Sequence, residues 1–563
     1  MSRKSNSMKL AYIFIAEHKI LSNIDIPING DHFGKYSNGT LTLNEKSDRV
    51  DYYNGLSCSA IIGKNGVGKS TILNFIESSY ETTDSSGLIV FFDSIGGKYH
   101  ICPINFALNE DCINSSTEYA IDPDYRLFIN RNKIRLVKSN NLTGVEKSTF
   151  ESRKNSGRFI NDLSLSQYTS GSKTTLIKRT NRLMRFFSES RWFDGFERTK
   201  IKFNFKFKSS SNAYVNSLLS NKKLVSEYSE ELDSIKKFIN PSEPEQFLEI
   251  GYPDFTFYTL FKNNILSILR NISQSTCIEK NNRDSFFLAI LILFIKSDFN
   301  VDSLSDLIKR KGSDFYRRND SVFSSVDSFI LANRYNKIVE VYTHISNLLT
   351  HDPSLYQIHK EDEVSSFNTD FIIDLTYLIS CLPSNISSNF SYGWSGLSTG
   401  EFAKLNVFSE LYNYINDEKI KGNENHLIVM DEADLYLHPD WQRTFFSELL
   451  NFLKSEFPQD RVQLILSSHS PIIIGDFLPE DIVSLDVNEQ GQTKVVESFG
   501  FGTHITDLYL DGMHLNSTFG EHSKKVISSI IDNRNAGKLT ENDRDLVRKI
   551  KSKNIQNMIL GGL

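Results

Sequence analysis

Apolar and polar positions divide the chain into three textures. The opening stretch "KLAYIFIAEHKILSNIDIPI" (9–28) alternates and is rich in β-branched and aromatic residues, which predicts two strands. "YSNGTLTL" (36–43) places Asn38-Gly39 between strand-like flanks and predicts a hairpin. "LSCSAIIGKNGVGKSTILNFIESS" (56–79) reads as a short apolar strand, a glycine loop and an amphipathic helix, and "GLIVFFDS" (87–94) as another buried strand. From about 130 to 390 the pattern becomes helical, as in "EQFLEIGYPDFTFYTLFKNNILSILRNI" and "SVFSSVDSFILANRYNKIVEVYTHISNLL". After 390 the strand–loop–helix alternation returns in "HLIVMDEAD", "VQLILSSHSP" and "IVSLDV", then "TKVVES" beyond a turn at Gly491. The expected organisation is one α/β domain in two halves, 1–130 and 391–500. A mainly helical insertion (131–390) interrupts it, and a helical tail (501–563) follows.

Composition narrows the class. With 563 residues, of which 39% are hydrophobic, the chain can bury a sizeable core and form two to four domains. Its longest strongly apolar run, "FFLAILILFI" (286–295), is too short to cross a bilayer and reads as a buried helix. No signal-peptide pattern surrounds Lys4 and Lys9. Five scattered cysteines without C-x-x-C indicate neither a disulfide framework nor a zinc knuckle, and a reducing cytoplasm is expected. The net charge of −6 hides a basic segment at 173–208, with eleven Lys/Arg against Glu189, Asp194 and Glu197. Within it "TKIKFNFKFK" alternates Ile201, Phe203, Phe205 and Phe207 with Lys202, Asn204, Lys206 and Lys208. Those lysines either guard an exposed edge strand or, with Arg179, Arg182, Arg185 and Arg191, touch nucleic-acid phosphates.

The chemistry begins at Gly63–Ser70, which satisfies G-x-x-x-x-G-K-[ST] between a strand and a helix. Such a loop turns its amides inward and adds a helix dipole, making an ATP or GTP site. Gly63, Asn65, Gly66, Gly68, Lys69, Ser70 and Thr71 are the candidate nucleotide-binding residues, with Lys69 reaching the β- and γ-phosphates and Ser70 on Mg²⁺. Asp431 and Glu432 follow the apolar run Leu427–Met430; the first suits a Mg²⁺ shell and the second an attacking water. His469 ends a further apolar strand among Ser467, Ser468 and Ser470, where a γ-phosphate sensor is expected.

One stretch lacks an explanation from its own neighbourhood. "WSGLSTGEFAKLN" (394–406) sets poor helix formers before a helix, with Glu401 placed to close a capping box on Ser398. Leu397-Ser398-Thr399-Gly400-Glu401 resembles the L-S-x-G-E signature of ABC-type ATPases, in the branch that includes the RecF, SMC and overcoming-lysogenization ATPases. The order of Walker A, signature, Walker B and histidine loop is the same, and "DLYLHPDWQ" is similar to the branch's D-loop, with Asp434 in the linking position. The resemblance covers 1 to about 130 and 390 to 500. It implies an ABC-type P-loop ATPase head, ATP and Mg²⁺ as ligands, and a dimer in which Ser398 and Gly400 meet the nucleotide of the second copy. It implies Glu432 and His469 as the catalytic pair and Ser70 and Asp431 as metal ligands. Gln167 is a candidate for the Q-loop.

The attachments to the head guide the rest. No C-x-x-C hook, long coiled coil or H-N-H constellation is seen, and fewer than a hundred residues follow His469, too few for a Toprim nuclease. The layout resembles PtuA-type ATPases of Septu and retron anti-phage systems. That resemblance implies a separate HNH nuclease partner, and in retron versions a reverse transcriptase with its msDNA. The rival expectations are a RecF/SMC-like repair ATPase acting directly on DNA, and an ATP-clamped scaffold with negligible hydrolysis.

Overall fold

The structure is a computed structural model describing residues 6–47, 50–80, 84–140, 159–164, 173–190, 202–221, 230–240, 252–297, 304–309, 325–360, 362–416, 424–457, 459–515 and 517–560. It divides into two compact units, Met1–Gln167 with Tyr414–Leu563, and Tyr168–Asn413.

In the first unit a seven-stranded sheet runs in the order Ile160–Asp162, Ile134–Asn140, Asn425–Asp431, Val462–Ser467, Ser57–Gly63, Ile482–Val487, Thr493–Val496. Every neighbouring pair is parallel except the last. Its central strands are buried almost throughout, which accounts for the unbroken apolar runs "SAII", "LIVM" and "LIL". Beside it a five-stranded sheet has the order Leu21–Ile26, Met8–His18, Ser86–Asp93, Lys98–Ile104, Glu118–Ile121. The helix Lys69–Ser78 and both sheets share one core, including Ile13, Ile15, Phe75, Ile89, Phe91, Val429 and Ile465. The predicted hairpin joins His32–Ser37 to Thr40–Glu45, with Asn38 and Gly39 at φ 51° and 79°, the left-handed pair that a tight hairpin requires. Near the end of the chain, the helices Glu521–Asn535, Glu541–Arg548 and Lys553–Leu560 enclose a small cluster of Ile530, Val547 and Ile559.

The second unit packs helices on a four-stranded antiparallel sheet ordered Tyr356–Lys360, Glu363–Ser366, Lys202–Phe207, Phe390–Ser395. The run 286–295 lies in the helix Arg283–Lys296, buried at Phe286, Phe287, Ile290, Leu291 and Phe294. No helix among the described residues is long and apolar enough to cross a membrane.

Three expectations meet a different arrangement. The unit holding the phosphate loop extends past 130, because Ile134–Asn140 pairs in parallel with Asn425–Asp431 inside the main sheet. Strand Phe390–Ser395, which leads into the signature, pairs instead with Lys202–Phe207 in the second unit. Lys202–Phe207 is also no edge strand, since it is hydrogen-bonded on both sides. Alternation disclosed its apolar face of Phe203, Phe205 and Phe207 correctly but carried no information on its neighbours. Ile201 lies outside the described residues.

Asp481 gives the first unit a pH response. Its buried carboxylate accepts a hydrogen bond from the Gly30 amide at 2.9 Å, and burial pushes its pKa up to about 6 despite that amide and the Tyr53 hydroxyl. A folded-state value above the unfolded one means that stability is fully present below about pH 4 and is lost as pH rises through 6. Asp481→Asn should therefore melt close to the parent at pH 4 and several degrees above it at pH 7.5, a gap worth about 3 kcal/mol at most. Differential scanning fluorimetry at the two pH values checks this, and parallel melting curves would contradict it.

Candidate functional site

The phosphate loop turns because glycine permits it. Gly63 has φ 143°, and a Cβ there would stand 2.5 Å from the Leu485 carbonyl oxygen; Gly68 has φ 108°, and its Cβ would meet Leu21 Cδ2 at 2.7 Å. Gly66 also lies in the left-handed region, at φ 82°. No side chain caps the helix Lys69–Ser78 at its N-terminus, and its first turn holds no acid, so its amides present an anion site. Asn65, Gly66 and Ser70 are exposed and Thr71 is half-buried. The Lys69 ammonium folds over the loop and donates to the carbonyls of Gly63 and Lys64 at 2.9 and 3.0 Å. Burial lowers its pKa, while Asp431, Glu432 and Asp434 oppose the shift.

The Walker B pair is held from the adjacent strand. The Ser467 hydroxyl donates to Asp431 Oδ1 and accepts the Glu432 amide at 3.0 Å, and the Ala433 amide donates to the Ser467 carbonyl at 3.1 Å. Glu432 sits at φ 51°, a left-handed backbone unusual for a non-glycine residue and costing on the order of 1 kcal/mol or more. The two bonds through Ser467 fix the strained peptide. One step further on, Asp434 Oδ1 accepts the Ser468 hydroxyl at 2.7 Å and the His469 amide at 3.0 Å. Ser470 Oγ donates to Gln442 Oε1 at 2.6 Å. The carboxylate read as a D-loop residue thus anchors the histidine turn. His469 itself is exposed, and partial burial and Lys69 hold its imidazole below the ordinary value against the pull of Asp434 and Asp431.

The strand ends therefore gather Lys69, Asp431, Glu432, Asp434 and His469 within electrostatic reach. Among the described residues no group of three or more His, Cys, Asp or Glu is arranged for a metal. A serine hydroxyl and a carboxylate, as at Ser70 and Asp431, are donor types that suit Mg²⁺, an ion that completes its shell with water and phosphate oxygens.

The signature belongs to the second unit. Ser398 Oγ accepts the Glu401 amide at 3.3 Å and the Ser398 amide donates to Glu401 Oε2 at 2.6 Å, the reciprocal capping box the spacing predicts. Ser398 and Thr399 are exposed, Gly400 is half-buried, and Gly396 turns the chain at φ 86°.

Five cations of the basic segment have partners among the described residues. Arg179 lies over the Phe402 ring at 4.5 Å, Arg182 pairs with Glu410 at 2.9 Å and Arg185 with Glu189 at 3.0 Å. Lys206 stands 3.8 Å from Asp362, and Lys202 donates to Gln357 at 3.4 Å. Arg191 and Gln167 lie outside the described residues.

The family description of the AAA ATPase domain matches residues 28–474. The chain belongs to that family. Among curated proteins, this AAA ATPase-domain chain is similar to "Septu protein PtuA" of Bacillus thuringiensis, 23% identical over 269 residues, 45% of the chain and 65% of the relative. It is also similar to "Retron Vc95 probable ATPase" of Vibrio cholerae serotype O1 biovar El Tor, 23% identical over 252 residues, 42% and 48% of the two lengths. The chain thus spans less than two-thirds of the length of either relative. The resemblance to a P-loop ATPase, read from the motifs, and that to Septu and retron ATPases, read from the layout, are met.

Ser467 and Ser468 escaped the motif reading as working parts. Their signal was three serines around His469, but their partners became definable only with the register Met430↔Leu466 and Ser467↔Ile61. Ser467→Ala removes both bonds on the Walker B turn. It should lower kcat about ten-fold, as expected for ~1–2 kcal/mol of lost organisation, and leave ATP affinity within about three-fold. Steady-state hydrolysis with fluorescent-nucleotide titration checks the split; an unchanged kcat would remove Ser467 from the site.

Proposed function

We propose that two copies of the chain trap ATP head to tail, each supplying a phosphate loop and Walker B pair to one nucleotide and a signature to the other. The carrying observation is the pairing of two exposed, complementary half-sites. One is a phosphate loop whose amides no side chain caps; the other is a signature turn whose Ser398 stands in solvent. In this reading Gly63, Asn65, Gly66, Gly68, Lys69, Ser70 and Thr71 cradle the phosphates. Ser398 and Gly400 reach the γ-phosphate of the second copy's nucleotide. Ser70 and Asp431 hold Mg²⁺, which neutralises charge on the phosphate oxygens when bound.

Glu432 orients the attacking water and takes its proton as the water oxygen bonds to the γ-phosphorus and the bond to the ADP oxygen breaks. The left-handed turn at Glu432 and the Ser467 bond to its amide fix the backbone that carries this carboxylate. His469, kept neutral near pH 7 by the downward shift of its pKa, donates to the γ-phosphate from the ring nitrogen that carries the proton. The likeness to the Septu and retron proteins supports a place in a cytoplasmic anti-phage assembly. There the nucleotide-dependent pair governs a separate HNH-type nuclease, with reverse transcriptase and msDNA as further companions in a retron version.

A mixing experiment tests the two-copy site. Lys69→Ala and Ser398→Ala should each be inactive alone. An equimolar mixture should regain about a quarter of parental ATPase activity, since half the random pairs are mixed and each holds one intact composite site. Glu432→Gln with ATP should shift from monomer to dimer mass in light scattering. A mixture as inactive as its components, with Glu432→Gln remaining monomeric in ATP, would overturn the reading.

A further inference from the structure

We infer that the helix Lys173–Glu189 positions the signature turn through a charged seam whose register is set by Arg182 and Glu410. This inference rests on the two-copy reading above. The signature turn is suspended between the strand Phe390–Ser395 and the helix Thr399–Ile415, and Lys173–Glu189 contacts the flank on each side.

On the helix side, Glu410 is 1% exposed, and its Oε2 lies 2.9 Å from Arg182 Nε. Arg182 Nη2 also donates to the Glu410 carbonyl at 3.3 Å, and Asn413 Nδ2 donates to the Arg182 carbonyl at 2.7 Å. Arg179 donates to Asn406 Oδ1 at 3.4 Å while its guanidinium covers the Phe402 ring. The Tyr412 hydroxyl donates to Glu189 at 3.3 Å, and Phe186 meets the Tyr412 ring edge-on at 5.6 Å. Positions 402, 406, 410 and 413 share one helical face, as do 179, 182, 186 and 189. On the strand side, Trp394 packs against Phe187 at 5.1 Å and Phe203 at 4.9 Å, and Asn204 Nδ2 donates to Ser395 Oγ at 3.0 Å.

Stability alone gives little reason for such a seam. Desolvating a carboxylate and a guanidinium offsets much of their attraction, and apolar replacements of similar volume commonly fold as well or better. A row of apolar side chains, however, tolerates sliding and rotation, whereas an ion pair flanked by side-chain bonds to the facing backbone carbonyls favours a single register. The signature serine lies three turns along the same helix from Glu410, so a rotation of that helix would turn Ser398 away from the phosphate it is proposed to meet. Arg182 and Glu410 are positioning residues in this account and touch no nucleotide.

The test separates stability from position. The full chain carrying Arg182→Met with Glu410→Leu should melt at or above the parent temperature and bind a fluorescent ATP analogue within two-fold. Its kcat should nevertheless fall at least ten-fold, with KM unchanged. A kcat within two-fold of the parent overturns the inference. Should that double variant fold poorly, Glu410→Gln, which keeps the shape, is expected to show the same loss of kcat with affinity retained; undiminished turnover there overturns it equally. Ser398→Ala serves as the reference. Full activity in that variant defeats the two-copy reading itself. An inactive Ser398→Ala beside an active seam variant defeats only the seam.

Discussion

The parallel register of three buried strands is the constraint on which the site depends. Ser57–Gly63, Val462–Ser467 and Asn425–Asp431 lie side by side, with Ala60 level with Leu466 and Leu466 level with Met430. Parallel strands end on the same edge, so the phosphate loop, the acidic pair and the histidine turn emerge together although they are far apart in sequence. Ser467 turns that register into chemistry, since it can bond to both Asp431 and Glu432 only when the strand ends are level.

Polar groups at this edge satisfy one another in a chain and leave the phosphate-binding amides uncapped. Asp431 is bonded to Ser467, Asp434 to Ser468 and His469, and Lys69 to the carbonyls of its own loop. In the proposed reading, nucleotide entry exchanges the Lys69 bonds for phosphate contacts, an exchange of hydrogen bonds that comes close to balance. The strained Glu432 peptide adds a local cost that the two Ser467 bonds offset. The chain belongs to the AAA ATPase domain family, and likeness to Septu and retron proteins supports the proposed place in an assembly.

The second unit shows that charge read along one dimension omits its partners. A concentration of Lys and Arg at 173–208 suggested a surface for polyanions. In three dimensions Arg179, Arg182 and Arg185 meet Phe402, Glu410 and Glu189, and the alternating strand lies inside its sheet with phenylalanines against the core. The acids that balance the arginines come partly from residues more than two hundred positions away, beyond the range of any local charge count.

The sequence by itself determined whatever depends on local backbone demands and periodicity. The Gly63–Ser70 loop, the Asn38-Gly39 hairpin, the buried run at 286–295, the Ser398–Glu401 capping box and the acidic pair after an apolar strand were all legible, because each is written within a few neighbouring residues. Tertiary structure alone decided that Ile134–Asn140 joins the main sheet, that Lys202–Phe207 has neighbours on both sides, and that Ser467 and Asp434 organise the Walker B and histidine turns. The physical reason is common to all of these: strand pairing and side-chain hydrogen bonds between distant segments are settled by which surfaces meet when the core forms, and one-dimensional periodicity carries no record of the partner.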